Sequence, residues 1–260
     1  MPQERLGWWR DVVCPGGGID LSQFCVVSAD FFPLAPTQVF ALSSIDYADH
    51  FVTALIACGF DRIDTVVGAS FGGLVAQQIA ARHPSFANQF VILCAAGQPS
   101  VTGLAWRKIQ RDIIRTGIET GQKEQAVALA RSLALTTYRT TAELENRFGA
   151  DNCVTDYLDA QGKKFAARMS AERYITLSAA IDSHTVEPST IDRPTFLIAA
   201  DTDLLVPIDD VKKLAREIGS QAQCITFPSV FGHDAFLKET NVVNAALRRI
   251  LHDLVAEPAT

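Results

Sequence analysis

At 260 residues, with 48% hydrophobic and 20% charged side chains, the chain has the balance of a globular protein built on one sizeable domain with a subsidiary insertion. Its net charge of −6 argues against a nucleic-acid or anionic-membrane partner. No apolar run is long enough to span a bilayer and Met1–Arg10 carries no signal-peptide pattern, so a cytoplasmic protein without a membrane partner is expected. The cysteines at positions 14, 25, 58, 94, 153 and 224 show no C-x-x-C or zinc-like pairing. Several fall in apolar patterns and read as reduced core residues, with no metal site and no bound cofactor implied.

Short apolar strands alternate with amphipathic helices. Phe24–Ala29 is predicted as the first strand, followed by a helix over Asp46–Cys58 with Phe51 and Leu55 on one face and Gly59 at its end. Strand Ile63–Val67 then leads into a helix over Phe71–Arg82, which Pro84 stops. Phe90–Cys94, Thr195–Ala199 and Cys224–Phe227 read as the third to fifth strands, and a helix over Asn241–Val255 closes the chain. This alternation predicts an α/β fold, a mostly parallel sheet with helices on both faces. Between the third and fourth strands, Ala105–Thr116, Lys123–Ala134, Asp156–Met169 and Ala171–Ile181 read as helices. So long an insertion is expected to form a helical lid above the sheet's carboxyl edge. The expected division is a core of residues 1–103 and 185–260 and an insertion of residues 104–184.

The densest signal is Thr65–Gly73, where a β-branched run enters Gly68-Ala-Ser-Phe-Gly72 and a helical pattern follows at once. A bare G-x-S-x-G arises by chance in about one chain in ten of this length, so the flanking strand and helix carry the argument. Together they describe a nucleophile elbow, a strained turn that lifts Ser70 above the end of a parallel sheet. Gly68 and Gly72 are expected to keep side chains away from the neighbouring strand and helix.

A serine hydroxyl needs an adjacent base, usually a histidine oriented by a carboxylate, and in this layout the order is Ser, acid, His. Of the five histidines, His50 and His83 precede or adjoin the elbow, His184 ends the insertion, and His252 lies in the tail helix. His233 remains, in a loop directly after the last strand, where the base belongs. The loop after the preceding strand offers Asp203, four residues before Pro207, as the acid, with Asp201 as the alternative.

Gly7-Trp-Trp9, Leu135-Thr-Thr-Tyr-Arg-Thr140, Asp156-Tyr-Leu-Asp-Ala-Gln-Gly162, Asp203-Leu-Leu-Val-Pro207 and Gly232-His-Asp-Ala-Phe-Leu237 resemble the homoserine O-acyltransferase family of α/β-hydrolase proteins. The resemblance runs from about Gly7 to Glu239, and it implies an α/β-hydrolase-like core. It also implies transfer of an acyl group from acetyl-CoA or succinyl-CoA to the hydroxyl of L-homoserine, feeding methionine synthesis, and homodimers packed through the helical insertion. The route implied is a Ser70 acyl-enzyme with ping-pong kinetics. Arg111 matches the family's carboxylate-binding arginine, Asp234 its ammonium-binding acid, and Tyr138 a pocket tyrosine.

Family members usually carry further strands before the Gly-Trp-Trp segment, and a loop there supplies one oxyanion amide. The Phe71 backbone N–H is the donor in view here, while Gly16-Gly-Gly18 either lends a second amide or forms a flexible loop. Ala69 and Phe71 stand where the family more often has a small polar or glycine residue and methionine, an exchange expected to reshape the acyl pocket. Arg168 and Arg173 lie where a succinyl carboxylate could be met from the lid. The alternatives are an esterase or a serine O-acyltransferase of the same fold, and a non-catalytic relative that keeps the triad.

Overall fold

The computed structural model describes residues 7–31, 42–149 and 153–256. A short parallel pair, β1 (Val13–Cys14) and β2 (Ile19–Asp20), opens the described chain. The main sheet is β3 (Ile63–Ala69), β4 (Ala87–Leu93), β5 (Thr195–Ala200) and β6 (Ala222–Phe227), hydrogen-bonded in that order and parallel throughout. Helices α1 (Ser44–Ala57) and α2 (Phe71–Arg82) flank β3 in sequence. Between β4 and β5 come α3 (Val101–Glu119), α4 (Lys123–Tyr138), α5 (Thr141–Phe148), α6 (Val154–Ala166) and α7 (Ala171–Asp182). The chain then runs through α8 (Ile208–Ile218), α9 (Ala235–Lys238) and α10 (Thr240–Ala256).

Each strand buries alternate residues on opposite faces, which is why β4 and β5 read as unbroken apolar runs. On one face Val66, Phe90, Ile92, Leu197 and Ala199 pack with Val52 of α1, Leu74 and Ile79 of α2, and Val211 and Leu214 of α8. On the other, Val91, Leu93, Ile198 and Ala200 pack with Val243, Leu247 and Leu251 of α10 and with Val12 and Ile19. The insertion has a third cluster of its own, Ile114, Val127, Ala130 and Ala171. Two glycines let its helices approach closely. A Cβ on Gly117 of α3 would meet the Ala126 methyl, and one on Gly162 of α6 would lie 2.6 Å from the Ala128 carbonyl oxygen.

The structure corrects three expectations. Phe24–Ala29 is not a strand: Phe24 and Val27 lean on the two sheet-face clusters, but the segment joins no ladder among the described residues. Its apolar residues reflect packing, and a strand needs in addition a neighbour with which to exchange hydrogen bonds. Helix α5 was not expected. Its start is marked by Thr140, whose hydroxyl accepts from Glu143 N, a local cap without a long apolar repeat behind it. Of the six cysteines only Cys94 is buried; Cys14 and Cys224 are half-buried, Cys25, Cys58 and Cys153 are exposed, and all are unbridged.

Candidate active site

The turn after β3 has the geometry of an elbow. Ser70 adopts φ +51° and ψ −119°, a strained region for a residue with a side chain. Its N–H donates to Leu93 O at the end of β4 (2.9 Å), while its carbonyl accepts from Gly73 N (2.8 Å) and Leu74 N (3.1 Å) to start α2. A Cβ on Gly68 would lie 2.5 Å from the Gly72 carbonyl carbon and 2.9 Å from Gly73 N, so only glycine fits there. Gly72 was expected to be similarly confined and is not, since a Cβ there would meet nothing within 4 Å. The confined neighbour is Gly73, whose Cβ position is 2.7 Å from the Ala95 methyl, because that side of α2 faces the loop after β4.

Ser70 Oγ lies 2.8 Å from His233 Nε2, and His233 Nδ1 lies 2.7 Å from Asp203 Oδ2. Since the carboxylate only accepts, this arrangement puts the ring proton on Nδ1 and leaves Nε2 to accept from the serine hydroxyl. Asp203 Oδ1 accepts from Leu205 N and Val206 N, both at 2.9 Å, which fixes the carboxylate from its own loop. Asp201 is exposed and accepts instead from Ser229 N at 3.2 Å, linking the loops after β5 and β6. Burial opposes protonation of His233, but the charge and hydrogen bond of Asp203, with Asp234 beyond, outweigh it and raise the imidazole above its ordinary pKa.

Several of the sequence motifs converge on the histidine loop. Gly232 has φ +58°, and a Cβ there would lie 2.7 Å from Tyr138 O at the end of α4. The Tyr138 ring stands 5.6 Å from the His233 ring, with Phe236 edge-on at 5.9 Å. Thr140 Oγ1 donates to Val230 O at 2.5 Å. Trp9 Nε1 donates to Phe236 O at 3.1 Å, and Trp8 stacks on Trp9 at 5.3 Å. The Gly-Trp-Trp segment is thus a buttress for the loop that carries His233.

The other predicted site residues are placed as follows. The Phe71 N–H stands in the first turn of α2, where amides lack intrahelical acceptors. Its ring packs with Phe31 at 4.8 Å and Tyr47 at 5.3 Å. Asp234 Oδ2 accepts from Arg139 Nε at 2.7 Å, and Arg139 Nη1 reaches Glu143 Oε1 at 2.6 Å, a buried carboxylate–guanidinium–carboxylate row. Arg111 Nη1 lies 2.8 Å from Ser178 Oγ and 2.5 Å from Asp182 Oδ2.

Gly16–Gly18 is neither a flexible loop nor a source of amides. Gly16 N donates to Asp20 Oδ1, Gly17 N to Cys14 O and Gly18 N to Asn244 Oδ1, so all three are committed. Arg173 is tied to Asp30 Oδ1 and Phe31 O, and Arg168 is exposed.

His83 and His184 have partners of their own. His83 Nε2 meets Asp49 Oδ1 at 2.7 Å. His184 sits between Ser44 Oγ and Gln77 Oε1, with burial lowering its pKa to about 4. Sequence reasoning missed Arg139, Arg107 and Arg131; the last lies over the Tyr138 and Phe165 rings at 5.3 and 4.8 Å. The i,i+4 spacing of Arg139 and Glu143 was a visible signal for the first of them.

An elbow serine relayed through a loop histidine to an acid after the preceding strand, on a parallel sheet, defines a class. The family model described as alpha/beta hydrolase fold matches residues 31–240, most of the chain. Homoserine O-succinyltransferase of Xanthomonas campestris pv. campestris is 32% identical over 254 residues, 94% of this chain and 69% of that protein. Homoserine O-acetyltransferase of Thermus thermophilus is 31% identical over 277 residues, 95% of this chain and 72% of that one. The crystal structure of homoserine O-acetyltransferase from Staphylococcus aureus superposes with a TM-score of 0.78 at 25% identity, covering 94% of this chain and 78% of that chain. Within the alpha/beta hydrolases, the chain belongs to the homoserine O-acyltransferase family.

Proposed function

We propose that the protein transfers an acetyl or succinyl group from acyl-CoA to the hydroxyl of L-homoserine, in methionine biosynthesis, through an acyl ester on Ser70. The observation that carries this reading is the unbroken relay from Ser70 Oγ through His233 to Asp203 in a chain of this family. His233 Nε2 accepts the Ser70 proton as Oγ attacks the thioester carbonyl, and the Phe71 N–H donates to the oxyanion. The carbon–sulfur bond breaks, and CoA leaves as the thiol with the proton from His233. The homoserine hydroxyl then attacks the ester, His233 accepts its proton and returns one to Ser70 Oγ, and the O-acyl amino acid departs.

Asp234 is the group for the substrate ammonium, Arg111 belongs to the subsite for its carboxylate, and Tyr138 lines the pocket beside His233. Residues 104–184 form the lid over a core of residues 1–103 and 185–260, and the same helices pack a cytoplasmic homodimer. Light scattering on the purified protein tests the dimer.

CoA release from acetyl-CoA and succinyl-CoA, each with and without L-homoserine or L-serine, tests the activity. Release that depends on L-homoserine is expected. Release indifferent to any hydroxy amino acid would make the protein a hydrolase, and dependence on L-serine would exchange the acceptor. If neither donor nor p-nitrophenyl acetate acylates Ser70, the chain is a non-catalytic relative.

The pH profile gives a second check. The base must be neutral, so kcat/KM falls as pH drops through the His233 pKa. Because that pKa is raised, the acid limb is expected above 6.5, the ordinary imidazole value, and a midpoint below it would contradict the role given to Asp203.

A further inference from the structure

Two guanidiniums of α3 share one carboxylate of α7. Arg107 Nε lies 2.5 Å from Asp182 Oδ1 and Arg111 Nη1 lies 2.5 Å from Asp182 Oδ2, with each side chain only 13% exposed. Two positive charges therefore meet one negative charge largely out of water, an imbalance that an anionic ligand relieves. The two arginines are not equivalent. Arg111 Nη1 is also engaged with Ser178 Oγ, whereas Arg107 Nη2 is buried and has no hydrogen-bond partner among the described residues.

The seat of Arg107 is tied to the relay. A Cβ on Gly103 would lie 3.0 Å from Arg107 Nη1, 3.2 Å from its Nη2 and 3.0 Å from Ser100 Oγ. Ser100 Oγ donates to Leu205 O at 2.9 Å, and Leu205 N donates to Asp203 Oδ1. Gly103 therefore makes room for the guanidinium on the first turns of α3, beside the loop that carries Asp203. The positive charge is near enough to oppose protonation of His233.

We propose that Arg107 binds a substrate carboxylate at this site, its Nη2 being the open donor and Asp182 holding the guanidinium ready through Nε. The carboxylate is either the α-carboxylate of an amino-acid acceptor or the terminal carboxylate of a dicarboxylic acyl donor. The inference rests on the acyl-transfer reading.

The test compares wild type with Arg107→Gln and Gly103→Ala, using acetyl-CoA and succinyl-CoA as donors and L-homoserine and L-homoserine amide as acceptors. Arg107→Gln is expected to raise KM for the carboxylate-bearing partner by about tenfold to a hundredfold, the range of a lost charged hydrogen bond, while its uncharged counterpart is scarcely affected. A loss seen with L-homoserine and not its amide assigns the α-carboxylate; a loss seen with succinyl-CoA and not acetyl-CoA assigns the acyl chain. Gly103→Ala keeps the arginine and favours helix, yet crowds the guanidinium, so it reproduces the same selective loss in smaller measure even if Arg107→Gln fails to fold. Wild-type turnover with variants that leave both members of each pair unchanged, or impair both equally, overturns the role of Arg107 while acyl transfer stands. A wild type with no acceptor-dependent release overturns both.

Discussion

Ser70→Ala is expected to lower acceptor-dependent CoA release by about 10⁴-fold or more while leaving the protein folded. The elbow is held by backbone bonds, Ser70 N to Leu93 O and Ser70 O to the amides of Gly73 and Leu74, and none of them involves the hydroxyl. What disappears is the oxygen that His233 Nε2 addresses at 2.8 Å. Intact-mass measurement after exposure to acetyl-CoA or succinyl-CoA reads this directly. Wild type gains one acyl group on the Ser70 peptide and the variant gains none; an adduct that persists in the variant would move the nucleophile elsewhere. Asp203→Asn is the companion case. It keeps the nucleophile, costs a comparable factor of about 10⁴ in kcat, and removes the charge that lifts His233 against its burial. Its residual activity is therefore expected to have an acid limb displaced to lower pH.

Gly68→Ala is expected to destabilise the fold by about 3 kcal/mol, whatever it does to activity. The added methyl carbon meets only backbone, the Gly72 carbonyl and Gly73 N, and that backbone is fixed between the β3–β4 ladder and the first turn of α2. No flexible side chain is present to give way. Gly72→Ala, two residues from the serine, adds a methyl into open space and gains helix propensity, so it should be neutral within about 1 kcal/mol. Urea unfolding of the two variants separates them. Equal losses would mean that the elbow tolerates or rejects side chains generally, and not at Gly68 in particular.

Strands β3 to β6 and the order of Ser70, Asp203 and His233 could be read from the chain because both are local patterns. A buried parallel strand is an apolar run, and Ser70, Asp203 and His233 each lie in the turn or loop that follows one. What could not be read depends on pairs distant in sequence. Arg139 and Asp234 are 95 positions apart, and nothing near Arg139 announces that its partner adjoins the histidine. Gly16–Gly18 looks loose locally, yet Gly18 N is fixed by Asn244 from the last helix, 226 positions away. Phe24–Ala29 fails the other way, with a strand-like composition but no neighbour that completes a ladder among the described residues. The choice between Asp201 and Asp203 was open for the same reason. Both follow β5, and only the fold shows that the imidazole meets Asp203 while Asp201 reaches Ser229.

The apolar cluster of the insertion, Ile114, Val127, Ala130 and Ala171, shares no buried member with the clusters on the two faces of the sheet. Over generations, substitutions in α3 to α7 can compensate one another inside that cluster without disturbing the strands below. The two histories meet at the end of α4, where Tyr138, Arg139 and Thr140 press on the loop of Gly232 to Asp234, and along α7, where Leu177, Ala180 and Ile181 join the sheet-face cluster that α1, α2 and α8 cover. A lineage built this way can drift across much of its roof while those two seams keep it registered on the sheet.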